Sequence, residues 1–176
     1  MKLRIPLPKR GRAQHASSAD PAPPRRMTFY RHSQRERFQN PLPSTCRVAV
    51  VSPNFADKDG VRTFDEDQYR EIEVYEPEIL AASVPVLLRL AERIRISRAI
   101  VAFSGARVGA VTNRDRDLLW SAFQAPVFEQ RLGPDGGVIA RECEAHDGLH
   151  LYVPQHFHGD LRTEACACGR AEPRIF

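Results

Sequence analysis

"EPEILAASVPVLLRLAERIRISRAIVAFSG", residues 76–105, decides the fold. Its two ends, "EPEILAAS" (76–83) and "RAIVAFSG" (98–105), are apolar runs of strand length. Between them "SVPVLLRLAERI" places Val84, Leu87, Leu88, Ala91 and Ile94 on one stripe at the 3.6-residue period of a helix. Ser83 stands at the N-cap, and Pro85 falls in the first turn, where a missing N–H costs no hydrogen bond. Strand, helix and strand in succession form the unit of a parallel sheet, because parallel neighbours need a long crossover to bring the chain back.

The same alternation extends to both sides. "CRVAVVS" (46–52) is β-branched, lies between prolines and reads as a buried strand. A polar helix around 65–73, opening at Thr63 or Asp65, follows it. After Gly105, "TNRDRDLLWSAFQ" (112–124) reads as a helix capped by Thr112 or Asn113, with Trp120 and Phe123 on its core face. "APVFEQ" (125–130) is the next strand. Continuous apolar strands alternating with helices predict an α/β fold: a small, doubly wound, mostly parallel sheet with helices on both faces. From residue 137 the texture changes to two strands around Asp147-Gly148, which predicts a C-terminal antiparallel hairpin extension.

Charge divides the chain. Residues 1–37 carry ten Lys/Arg against Asp20 and Glu36, a balance of +8, so a total of +4 leaves −4 for residues 38–176. The basic segment has little to bury and is expected to be a disordered tail, with residues 38–176 as one α/β domain. An Arg-rich arm can neutralise phosphates, which keeps a nucleic-acid-associated module among the readings. The plainer reading is a solvated tail with no nucleic-acid partner. Met27 is an alternative start, in which case the first 26 residues are not part of the protein. No run approaches the roughly 20 apolar residues that cross a bilayer, and no apolar run follows "MKLRIPLPKRGR". No membrane partner and a cytoplasmic location are therefore expected.

Three of the four cysteines and four of the six histidines lie between Cys143 and Cys168. In a reducing compartment such a cluster reads as metal ligands or reactive thiols before disulfides. With Asp147-Gly148 as a two-residue loop, Cys143 pairs with Tyr152 and Ala145 with His150, so Cys143 and His150 share one face as diagonal neighbours. His146 then lies on the other face. Cys166 and Cys168, two apart in an extended segment, point the same way, and Gly169 leaves room for N–H groups near sulfur. A structural Cys3His zinc site from Cys143, His150, Cys166 and Cys168 follows, with no open position for water. The alternative is a set of reduced, partly buried cysteines with no ion. His156 and His158 share a face in "QHFHGD" and are substitutes for one ligand, or loop histidines at the surface. Cys46 reads as a small core residue. No Ser–His–Asp or Cys–His catalytic order stands out, so no catalytic residue is assigned.

The order "EPEILAASVPVLLRLAE", "AIVAFSGARV", "APVFEQRLGPDGGVIARECEAHDGLHLY" and "CACGR" resembles the phenylacetate–CoA ligase subfamily of the adenylate-forming enzymes, over about residues 66–174. In that family a "P-S-x-L-x-x-L-A" helix leads to an adenine loop. A "Y-G-x-[S/T]-E" signature, an "E-C-x(6)-D-G-L-H"-like hairpin and a "C-x-C-G-R" element follow. The resemblance implies a nucleotide-facing role for Ser104, Gly105 and Ala106, for Asp135 at the magnesium-holding Glu, and for Asp160 of "HGDL" at the ribose-holding Asp.

The departures are specific. No Gly/Ser/Thr-rich phosphate loop is present, and "NPLPSTC" (40–46) has two prolines and no glycine. Arg131 and Leu132 replace the Tyr-Gly of the signature, Pro134 its hydroxyl residue, and Arg107 stands where a Glu is expected. The chain stops at Phe176, before the family's lysine-bearing C-terminal domain. The resemblance with its departures implies a truncated, non-catalytic or accessory relative of acyl- or aryl-CoA ligases. Neither ATP nor AMP is expected to bind. A separate ligase chain or a second copy of this one is the expected partner. A ligase component completed by another chain is the alternative.

Overall fold

The computed structural model describes residues 38–42, 45–152 and 159–176. The expected basic tail, and His156 and His158, lie outside the described residues. Eight strands and three helices are present: β1 (Val48–Val51), β2 (Val61–Phe64), α1 (Tyr69–Tyr75), β3 (Ile79–Ser83), α2 (Val84–Leu90), β4 (Ala99–Gly105), α3 (Asn113–Phe123), β5 (Val127–Leu132), β6 (Val138–Glu142), β7 (Leu149–Leu151) and β8 (Arg174–Ile175). They form one sheet in the order β2-β1-β3-β4-β5-β6-β7-β8. Strands β2 to β5 are parallel, and β5 to β8 are antiparallel. The α/β class, the mostly parallel sheet and the antiparallel C-terminal extension are as the sequence implies.

Winding direction explains which face each connection covers. The connections β2–α1–β3, β3–α2–β4 and β4–α3–β5 all step the same way along the sheet, so right-handed crossovers put all three helices on one face. Ile72, Leu87 and Leu119, one from each helix, accordingly share a core with Ala49, Leu80 and Ile100. The β1–β2 connection steps the opposite way and belongs on the other face. It is a loop, and its Phe55 stacks on Phe103 at 5.3 Å and meets Phe38 edge-on at 6.1 Å. The sheet therefore reverses direction as a doubly wound one does. Among the described residues, however, a loop and the Phe38 segment cover the second face in place of the helix expected there. Leu87 and Leu119 are fully buried, and truncating either to alanine costs about 2–5 kcal/mol.

Three local details differ from expectation. The expected helix at 65–73 runs from Tyr69 to Tyr75, because residues 61–64 are taken by the parallel edge strand β2. Trp120 is half exposed while Phe123 is buried, so the core stripe of α3 runs through Leu119 and Phe123. Ser83 occupies the N-cap of α2 but makes no side-chain bond there, whereas Thr112 and Asp115 form a full capping box on α3. No helix among the described residues is long and apolar enough to cross a membrane.

Candidate metal centre

Two turns bring the cluster together. Strand β6 ends at Glu142, opposite Leu149, and His150 pairs with Arg141. The hairpin loop is thus residues 143–148, not the two-residue loop expected, and His150 does not face Ala145. The loop closes early because the His146 N–H bonds the Cys143 carbonyl at 3.0 Å, with His146 itself left-handed at φ 50°. Gly148, at φ 79°, then returns the chain beneath the C-terminus; a Cβ there would lie 2.8 Å from the Ile175 carbonyl oxygen. The second turn is Cys166–Gly169, closed by the Gly169 N–H on the Cys166 carbonyl at 2.9 Å. It replaces the extended segment read from sequence.

These turns point four ligand atoms inward. Those of Cys143, His150, Cys166 and Cys168 all lie within 4.8 Å of one another. Cys143 Sγ is 3.7 Å from Cys166 Sγ, and Cys168 Sγ is 3.3 Å from His150 Nε2. A tetrahedral ion with bonds of about 2.3 Å to sulfur and 2.0–2.1 Å to nitrogen requires edges of about 3.8 Å for S–S and about 3.5 Å for S–N. The donor set fits that geometry, and none of Cys143, Cys166 and Cys168 is in a disulfide. Cys143, His150 and Cys166 are buried, and Cys168 is partly exposed.

The electrostatics divide the ligands: Cys166 and His150 are held in the ligating form, whereas Cys143 must give up a tightly held proton. Burial pushes the Cys143 thiol up to about 12, against the pull of the Ala145 backbone N–H. The Cys168 backbone N–H holds Cys166 below the ordinary thiol value in spite of burial. Burial also holds His150 below the usual imidazole value, which leaves it neutral and able to ligate. Arg174 and Arg141 stand close enough to feel the charge of Cys166 and Cys143, so cations offset a thiolate-rich centre.

His146 is apart from the cluster. Its ring stacks on Phe128 at 4.8 Å, and its Nδ1 lies 2.9 Å from Glu142 Oε1. It is the exposed end of a partly buried network that the sequence reading missed. There Arg116 donates to Glu129 Oε2 at 3.0 Å and to Glu142 Oε2 at 2.9 Å. Ser104 Oγ donates to Glu129 Oε1 at 2.6 Å. The network floors a groove of about 910 Å³ walled by Trp120, Leu149 and Phe176. No sequence signal marks it, because Glu129 stands beside Gln130 and Arg131 in β5 and Glu142 beside Arg141 in β6.

The nucleotide-type positions are only partly gathered. Ser104 is buried, and Gly105 pairs with Leu132 at φ 138°, where a Cβ would meet the Leu132 carbonyl oxygen at 2.4 Å. Ala106 is exposed in the turn after it, and Asp135 is exposed in the β5–β6 turn, its Oδ1 accepting from the Gly137 N–H at 3.2 Å. Asp160 is exposed two residues before Arg162, which bridges Arg174 on β8, three strands away from β5.

No protein-family model matches this chain, and no curated protein matches it. Among solved structures, it is similar to an open conformation of 2-hydroxyisobutyryl-CoA ligase in complex with 2-HIB-AMP and CoA. The TM-score is 0.55 at 12% identity, covering 74% of this chain and 44% of that one. The likeness is one of fold, and the chain spans less than half the length of the ligase.

Proposed function

We propose that this chain is a metal-stabilised α/β module related to the adenylate-forming acyl-CoA ligases, in which Cys143, His150, Cys166 and Cys168 hold a structural zinc ion. The observation that carries the reading is the match of the ligand spacings, 3.7 Å and 3.3 Å, to the edges of a Cys3His tetrahedron. Zinc is favoured because mixed thiolate and imidazole donors in a closed site suit it. Four protein ligands leave no position for a reacting water, so the ion's part is to tie the 143–148 loop to the chain after residue 162. Elemental analysis of protein purified without tag or chelator is the test, with one equivalent of zinc expected. Well under one equivalent, with thiols freely titratable in the native protein, would return the cluster to ordinary reduced cysteines.

Descent from adenylate-forming enzymes is supported by the shared fold, and the finer placement beside phenylacetate–CoA ligases by the "ECEAHDGLH" and "CACGR" motifs. In this reading the module is non-catalytic and works beside a ligase carried by another chain. Pro134 and the missing glycine-rich loop leave little to grip a triphosphate. Calorimetric titration with ATP–magnesium, AMP and CoA is therefore expected to show no saturable binding in the micromolar range. Saturable ATP binding that disappears in Asp160→Ala would favour the alternative, a ligase component completed by a partner.

A further inference from the structure

The metal reading leaves the other nitrogen of His150 to be explained. Nε2 faces the sulfur of Cys168, so the ring proton must sit on Nδ1 when Nε2 binds a cation. That Nδ1 is fully buried and has no hydrogen-bond partner among the described residues. Glu172 Oε2 is a second buried atom without a partner. The two stand 3.7 Å apart, just beyond bonding distance. Nδ1 is costly alone, because a buried donor without a partner loses its hydration for nothing, and the Glu172 carboxylate, on a side chain 41% exposed, is its complement within reach. A ring shift of less than about 1 Å brings them to the ordinary N–H···O distance of about 2.8 Å.

From this geometry we infer that Glu172 is the positioning carboxylate of the metal centre: it accepts the Nδ1 proton of His150 and so fixes the tautomer and ring orientation that present Nε2 to the ion. The inference rests on the metal reading and adds to it a residue outside the ligand set. Ligand histidines that donate their second nitrogen to a carboxylate bind more tightly, because the proton cannot move to the ligating nitrogen and the ring cannot turn away. Glu172 is placed for this by sequence. It lies two residues before Arg174, which pairs with His150 in the β7–β8 register, so the carboxylate approaches from the strand that flanks the imidazole. The backbone carbonyl of Glu172 also faces the ring, and it is the competing acceptor that the test must separate from the side chain.

The test is a zinc competition titration against a chromophoric chelator, on the full chain and on Glu172→Gln and Glu172→Ala. Apo melting temperature is recorded alongside. Wild-type protein is expected to bind one equivalent. Glu172→Ala is expected to weaken binding by about 10–100-fold with the apo melting temperature little changed, and Glu172→Gln, whose amide oxygen still accepts, to recover part of the loss. Nitrogen-15 NMR of the zinc-loaded wild type is expected to show the proton on Nδ1. Wild-type binding with Glu172→Ala within about twofold of it would overturn the inference while leaving the metal reading in place, and would assign the proton to the backbone carbonyl. A proton found on Nε2 of His150 in the loaded protein would also overturn it. A wild type that binds no zinc under any condition would remove the metal reading and this inference together.

Discussion

Arg174 on β8 reaches back to Asp147 in the hairpin loop, donating from Nη1 to the Asp147 carbonyl oxygen at 2.8 Å and also to its carboxylate Oδ2. Its Nη2 donates to the Glu164 carbonyl at 3.1 Å. One guanidinium, only 2% exposed, thus ties together the loop that begins at Cys143 and the segment that leads to Cys166. The planar fork is what allows three acceptors on two segments to be met at once.

Arg174→Ala is expected to lower the melting temperature by several degrees and to weaken zinc binding, since the two ligand-bearing segments lose their common tie. Arg174→Lys, a point charge without the fork, should recover only part of either effect. Thermal melts with and without added zinc check this. Equal losses in both conditions would confine Arg174 to the fold and separate it from the centre.

The ligand set makes a sharper forecast. Cys143→Ser, Cys166→Ser, Cys168→Ser and His150→Ala should each reduce zinc content and melting temperature together, because metal-binding free energy is folding free energy when the apo site is loosely held. His146→Ala should leave zinc stoichiometry at the wild-type level, as its ring is engaged with Phe128 and Glu142. Elemental analysis of the five variants decides the matter. Zinc lost from His146→Ala would mean that the ring ligates in solution.

What the residues disclosed in advance follows from where the physics is local. Strands β1, β3 and β4 were legible because each is an apolar run buried on both faces, β5 from its apolar opening at Val127-Phe128, and α2 and α3 because their stripes keep the helical period. "VRTF" of β2 was not, since an edge strand with Arg62 exposed carries no continuous apolar signal. "RI" of β8 is two residues long, and no periodicity exists in two residues. The hairpin register was misread because Asp147-Gly148 is a strong two-residue turn signal, yet the loop closes instead through a Cys143–His146 turn. Cys143 and His150 were expected to meet as neighbours within the hairpin. They meet because Cys143 opens the loop and His150 sits two residues beyond its end. The Arg116–Glu129–Glu142 network was invisible, because burial of a strand glutamate is a property of the groove around it.

The α3 capping box offers a test away from the metal. Thr112 accepts from the Asp115 N–H at 3.2 Å, and Asp115 Oδ2 accepts from the Thr112 N–H at 2.8 Å. Thr112→Ala is expected to cost about 1 kcal/mol of unfolding free energy in urea titration, and Asp115→Ala a similar amount. Zinc content should not change in either. The hydrogen bonds from Thr112 hold Asp115 below the ordinary carboxylate range, so this contribution is present at neutral pH and is lost on acidification through that depressed value.

Metal and acidity should act on one another with opposite signs in the loaded and metal-free protein. In the metal-free chain the Cys143 thiol is raised to about 12 by burial, so the folded state holds that proton more tightly than the unfolded chain, whose thiol titrates near 9.0. A raised value contributes stability below the unfolded pKa and loses it as pH rises from there toward 12. His150 behaves oppositely: burial lowers it below 6.5, so its contribution is present above that pH and lost on acidification. Cys166, held below 9.0, contributes stability that is present above that value and lost as pH falls through its lowered one, so the chelator-treated protein is expected to melt highest at about pH 9 and lower on either side. Zinc needs the thiolates, so the loaded protein must release the Cys143 proton on binding, and its affinity should climb as pH rises to about 9. Melting curves from pH 5.5 to 10.5, with zinc and with chelator, make the comparison. The gap between the two curves should widen from pH 6 to 9, and calorimetry in buffers of different ionisation enthalpy should register at least one proton released per ion. A gap that stays constant with pH would mean that no buried thiol proton is displaced, and with it the assignment of Cys143 as a ligand would fall.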